Sequence, residues 1–204
     1  DGQDLANKNL MPSWEHPFGT DKLGRDILVR VMYGGRISLS IGFAAAAINL
    51  CIGILYGGIA GYFGGKVDNI MMRIIDVIYS VPDLLYIILI LMVFGNNVQS
   101  MLIAISITSW VQMARQVRTQ VMSLKEMEFS LAAQVIGASR KRILFKHLIV
   151  NALGPIIVCL TMMVPSAIFT EAFLSFVGIG ITAPESSWGL LANECRSLVF
   201  TYPV

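Results

Sequence analysis

The sequence predicts an all-α, polytopic membrane protein, and three observations carry that prediction. Apolar residues make up 55% of the 204-residue chain and charged residues only 14%, with a mean hydropathy of +0.70; a soluble domain runs at about 25% charged. Asp, Glu, Lys and Arg are absent from residues 37–65, 84–114 and 147–170, gaps of 29, 31 and 24 residues. Roughly 20 apolar residues cross a bilayer as a helix, the form lipid demands because it offers open backbone groups no partner. Basic residues, finally, collect in alternate connections between the spans. The same composition excludes a disordered chain, and a net charge of +2 is too weak to point to nucleic acid. Cys51, Cys159 and Cys195 are too few and too scattered for a disulfide framework or a metal box.

The elements follow in order. Residues 1–35 are polar and read as a segment ahead of the first span, with residues 36–204 as the membrane domain. The first gap predicts one span over 37–62. The second is interrupted by Gly95-Asn96-Asn97, a turn signal, so it divides into spans over 74–94 and 98–117. The third continues past Glu171 to Ile181 as a long span in which Pro155 and Pro165 mark kinks or a helix start. The count is four spans. The chain opens on Asp1 without an initiator Met, and Phe200 to Val204 carry no terminal feature, so a piece cut at both ends is expected.

Charge sets the orientation. Residues 115–147 hold Arg115, Arg118, Lys125, Arg140, Lys141, Arg142 and Lys146 against only Glu126 and Glu128. Lys and Arg excess in short loops marks the cytoplasmic side. The turn at residues 64–73, with Lys66 and Arg73 against Asp68, falls on that side too. The uncharged 95–97 turn, the charge-balanced residues 1–36 and the tail after Ile181 fall outside.

The loop at about 123–147 reads as helix, break, helix. Ser123 or Ser130 could cap the first part. Ala132 and Ala133 favour a helix without bulk, Gly137 with Ala138 and Ser139 ends or turns it, and a basic amphipathic helix starts at Arg140. On composition alone this is an inside loop whose charge sets topology; its small residues would also suit close docking into a partner's groove.

The spacing adds a resemblance. Leu131-Ala-Ala133, three residues, Gly137, nine residues, then His147-Leu-Ile-Val150 resembles the coupling loop of ATP-binding-cassette importer permeases. The family pattern has Glu where Leu131 stands and often Pro where Val150 stands. His16-Pro-Phe-Gly-Thr-Asp-Lys-Leu-Gly-Arg-Asp26, Tyr33-Gly-Gly-Arg-Ile-Ser-Leu39, Gly57-Gly-Ile-Ala-Gly-Tyr-Phe-Gly-Gly65, Met72-Arg-Ile-Ile-Asp76, Ser175-Phe-Val-Gly-Ile-Gly180 and Ser187-Trp-Gly189 resemble the dipeptide, oligopeptide and nickel permeases, in particular the second of their two paired permease subunits. The resemblance covers nearly the whole chain.

It implies the type I importer transmembrane fold, with four of about six helices present. It further implies a sister permease that shares the pore, two cytoplasmic ATPases that carry ATP and Mg, an extracytoplasmic solute-binding protein, and residence as a multi-pass protein in a prokaryotic plasma membrane. Leu131, Ala132, Ala133, Gly137, Ala138 and Ser139 would couple the ATPases to the membrane helices. No Gly-x-x-x-x-Gly-Lys-Ser/Thr loop occurs, so no catalytic residue, cofactor or metal is expected in this chain itself. Di- and oligopeptides lead as cargo, with nickel or another small solute behind; an intramembrane enzyme or a channel subunit is the alternative of a different class.

Five sets of residues stand apart. Glu171, an ionisable residue inside a span, lies near the outer interface and reads either as a substrate-path contact or as a structural hydrogen bond to a neighbouring helix or the sister permease. Asp76 and Asp83 flank Pro82 and read as braces of a kinked helix or as path residues. The glycines of 57–65 permit tight packing and an inside turn. Trp188 and Tyr202 fit an interfacial aromatic belt or a contact with the binding protein. His16 and His147 fall on opposite faces, which disfavours a shared metal.

Overall fold

The computed structural model describes residues 4–182 and 185–196. Those residues are helical apart from connections and one isolated bridge between Thr20 and Asp26. A short turn at Leu5–Asn7 precedes α1 (Ile27–Phe63), α2 (Gly65–Tyr79), α3 (Asp83–Phe94), α4 (Val98–Lys125), α5 (Glu128–Val135), α6 (Arg140–Arg142), a π-helical turn (Ile143–Leu148), α7 (Ile149–Asn151), α8 (Leu153–Val177) and α9 (Trp188–Arg196). Tyr202 and residues 200–204 lie outside the described residues.

α1 begins well before the expected residue 37, so the boundary drawn after residue 35 falls inside the helix. Asp26 starts it: its carboxylate accepts the Val29 amide at 3.0 Å. Two charges then ride within the helix without breaking it, because Arg30 is paired near its start with Asp21 and Glu194 and Arg36 is exposed.

α1 and α4 run parallel and in backbone contact. A Cβ on Gly53 would lie 2.3 Å from Met113 Cγ, one on Gly57 2.1 Å from the Ala114 carbonyl, and one on Gly61 2.7 Å from the Arg118 carbonyl. Glycines spaced by four thus make one smooth stripe against the partner helix. Gly64 and Gly65, at φ +64° and +54°, then turn the chain into α2.

The span expected over 74–94 is not one helix. α2 and α3 meet at 72° across residues 80–82. Pro82 lacks an amide hydrogen and forces the preceding residue out of helical geometry. By length and composition α1 and α8 can each cross a membrane, and the bent pair has the composition of either a third, broken span or a re-entrant loop. α4 has the length, at 28 residues, but not the composition of such a span. It sits at the centre, packed against α1, α3 and α8, so protein rather than lipid surrounds much of it.

α8 carries Pro165 inside and ends at Gly178, a left-handed cap at φ +91°. Three buried clusters hold the bundle, the smallest being Ile75, Val111 and Ala114 between α2 and α4; the two larger ones lie at its ends. One joins Ile41, Ile87, Leu91, Met101, Ile105 and Leu174 at the end where α1 begins. The other joins Tyr62, Val117, Val121, Ala133, Ile143, Leu144 and Leu148 at the end rich in basic residues.

Candidate functional site

At the basic end the chain forms an exposed elbow. α4 runs two turns past the expected residue 117, so Ser123 lies within α4 and caps nothing. α5 starts after Met127 with no side-chain cap. Ser130 is turned inward, fully buried, with its hydroxyl unpartnered. Neither serine therefore serves as the expected cap; Glu128 in the first turn instead complements the positive end of the helix dipole.

The stop of α5 is a two-bond glycine cap. The Ala138 amide reaches the Ala133 carbonyl at 3.0 Å and the Gly137 amide reaches Gln134 at 3.0 Å, with Gly137 at φ +81°. Ser139 then caps α6, its hydroxyl 3.4 Å from the Arg142 amide. Ala133 sinks into the buried cluster beside Ile143, Leu144 and Leu148, while Ala132, Leu131, Gly137 and Ser139 stay exposed and Ala138 is half-buried. Val135 and Ile136 are 86% and 83% exposed. These two apolar residues escaped sequence reading because they pass for part of an amphipathic helix; at about 100° per residue Val135 stands on the face opposite buried Ala133, and Ile136 is the C-cap. Past α6, Ile143 and Leu144 are buried and Phe145 is exposed.

Behind the elbow, the basic residues of α4 clamp the helices before it. Arg118 takes both carboxylate oxygens of Asp68, with Nη2 at 2.5 Å from Oδ2. Arg115 pairs with Asp76 at 3.0 Å and lies 5.0 Å from the centre of the Tyr79 ring. Lys125 donates to the Tyr62 carbonyl at 2.6 Å. Asp76 is thus a brace between α2 and α4, whereas Asp83 lines a polar groove between α3, α4 and α8.

Glu171 lies at the opposite end, fully buried. One carboxylate oxygen accepts the Ser38 hydroxyl at 2.7 Å and the other accepts the Ser175 hydroxyl at 2.8 Å. Ser175 in turn receives the Ile181 amide at 3.2 Å. Trp188 lies over Gly35 and donates its indole N–H to the Val31 carbonyl at 2.9 Å. The glycine-rich segment after α8 and the start of α9 are therefore folded down onto α1 around one acid.

In front of α1, the Asp21 carboxylate organises the first residues. Burial works against its charge, but the amides of Arg25 and Leu23 and the Arg25 side chain more than offset this and hold its pKa below the usual range. His16, 2.9 Å away, and then the Val29 amide do the same for Asp26.

This arrangement of long apolar helices is shared with chains of two solved transporters. It overlays a chain of the MetNI methionine ABC transporter, solved in inward-facing conformations, with a TM-score of 0.64, at 18% identity, over 85% of this chain and 82% of that one. It overlays an amino acid ABC transporter with histidines with a TM-score of 0.62, at 19% identity, over 86% and 81%. The chain belongs to the family described as binding-protein-dependent transport system inner membrane component, whose model matches residues 53–202. Among its relatives, the oligopeptide transport system permease protein OppC of Bacillus subtilis is 50% identical over 98% of this chain, and the dipeptide transport system permease protein DppC of the same organism is 51% identical over 94%. The chain spans 65% and 60% of the lengths of those two proteins.

Proposed function

We propose that this chain is the greater part of a permease subunit in an ATP-driven importer of di- and oligopeptides. Identity of about 50% to peptide permeases across nearly the whole chain carries the reading. The domain would occupy a prokaryotic plasma membrane as a multi-pass protein, with residues 1–35 outside and the elbow in the cytoplasm. A sister permease would complete the pore, a binding protein would deliver peptide, and two ATPases, holding ATP and Mg, would do the hydrolysis.

The elbow supplies a physical route for the work. Leu131, Val135 and Ile136 offer an apolar face that a partner would cover, and Ala132 lets that partner's backbone approach. Gly137, Ala138 and Ser139 fix the angle at which α5 leaves that contact. Ala133 transmits the push, because it is packed among Ile143, Leu144 and Leu148 next to Val117 and Val121 of α4, and close-packed interiors pass displacement on rather than absorb it. The helices would then rock between inward- and outward-facing states.

Vesicles carrying the whole complex test the reading. Labelled di- and oligopeptides should accumulate with ATP hydrolysis, and the elbow should retain the ATPases in a pull-down. Accumulation of nickel alone would transfer the cargo to a metal ion, and a chain that binds no ATPase would remove it from this class of transporter.

A further inference from the structure

α4 carries a polar stripe that the count of charges passes over. Thr108, Gln112, Arg115, Gln116 and Thr119 recur at helical spacing on one face, over about 16 Å of helix. Together with Asp83 at the start of α3 and Ser166 and Thr170 on α8, they line a groove of about 490 Å³. A polar stripe on a membrane helix faces a watery path or a protein partner rather than lipid. Glu171 cannot serve such a path, because Ser38 and Ser175 enclose it.

The groove's chemistry is selective. Gln112 and Gln116 each offer a donor and an acceptor, the complement of a peptide unit, which carries one of each. Such a pair holds a peptide backbone without reading its side chains. The two charges are not equivalent. Arg115 is occupied by Asp76 at 3.0 Å and by the Tyr79 ring. Among the described residues no cation pairs with Asp83. The groove therefore holds one unmatched negative charge, set at the Pro82 break.

We propose that this groove is a transient subsite for the passing solute, in which Asp83 takes the α-ammonium group of a peptide while Gln112 and Gln116 hydrogen-bond its first peptide units. The subsite deepens the peptide-importer reading and rests on it.

The test uses the full-length subunit with its sister permease, ATPases and binding protein in proteoliposomes, and a labelled tripeptide with a free amino terminus. Asp83→Asn should lower uptake about tenfold, the loss expected for one charge-assisted contact, and Asp83→Glu should restore most of it. In a second arm Gln112→Cys, with Cys51, Cys159 and Cys195 replaced by alanine, is labelled with a water-soluble thiol reagent. The tripeptide should slow that labelling during turnover when Asp83 is present, an outcome that a merely structural Asp83 would not produce. Unchanged uptake in Asp83→Asn, failure of Asp83→Glu to restore it, or labelling of Gln112→Cys indifferent to peptide would each overturn the subsite. If Asp83→Asn fails to assemble, the labelling arm still decides, since it uses the native aspartate. A wild-type complex that takes up no peptide would overturn the importer reading, and the subsite with it; uptake by the wild type alongside any of the three contrary results overturns the subsite alone.

Discussion

Arg118 and Asp68 stand fifty residues apart in the chain yet meet through two parallel hydrogen bonds. This fork joins the second half of α4 to the first turn of α2, and Asp68 is 5% exposed. Bidentate geometry is specific to a guanidinium facing a carboxylate. Asp68→Ala leaves a half-buried guanidinium unpaired and should destabilise the detergent-solubilised protein by about 1–3 kcal/mol. Arg118→Lys, which keeps the charge and loses the fork, should recover only part of this. Thermal unfolding followed by Trp fluorescence measures both; equal midpoints for Arg118→Lys and the parent would refute the importance of the fork.

The glycine stripe predicts a contrast between neighbours. Gly57→Ala drives a methyl into the Ala114 carbonyl, while the nearest atom to a Cβ on Gly58 is Leu144 Cδ1 at 3.5 Å, an ordinary contact. Gly57→Ala should cost about 1–3 kcal/mol through overpacking. Gly58→Ala should be neutral or stabilise by up to about 1 kcal/mol, since alanine is the better helix former. Melting temperatures of the two variants side by side decide it.

Gly137 separates strain from docking. Open space surrounds it, with nothing within 4 Å of a built Cβ, but its φ of +81° disfavours any branched residue. Gly137→Val should therefore lower chain stability by only about 1–2 kcal/mol yet uncouple ATP hydrolysis from uptake in the assembled complex. Gly137→Asn, which tolerates the left-handed region, should be milder on both measures. Coupling that is unchanged in Gly137→Val would count against the elbow as the transmitting part.

The segment ahead of α1 should be acid-sensitive. Asp21 and Asp26 both have folded pKa values below the 3.8 of the free side chain. A carboxylate lowered in the folded state adds stability that is complete above its unfolded value and is lost as pH falls through the folded one. Protection of the Leu23, Arg25 and Val29 amides against hydrogen exchange, corrected for the intrinsic rate, should hold from neutral pH to about 5 and fall away below about 4. Asp21→Asn should abolish the pH dependence at Leu23 and Arg25 and leave that of Val29 in place.

Much of the architecture could be read in advance because a charge facing lipid is expensive, so uncharged runs mark spans whatever the fold. That logic weakens where protein replaces lipid. α4 tolerates glutamines and threonines at the centre of the bundle, and a count of charges is blind to them. The bend before α3 was signalled by Pro82, but its 72° size depends on how α2 packs. Ser38, the partner of Glu171, lies 133 residues from it, beyond any local pattern. At the elbow, the glycine stop at Gly137 was legible because a left-handed residue is needed there. The caps were not, since Ser123 and Ser130 have suitable side chains but fall inside the extended α4 and inside α5 respectively.

The contact of α1 with α4, glycine on backbone, has a mechanical consequence. Two rods touching along Gly57 and Gly61 have almost no side-chain cushion to shear, so they travel as a single beam. In the importer proposed above, alternation of the pathway would then swivel at the joints the beam leaves unlocked, the Pro82 bend on one flank and Gly178 on the other.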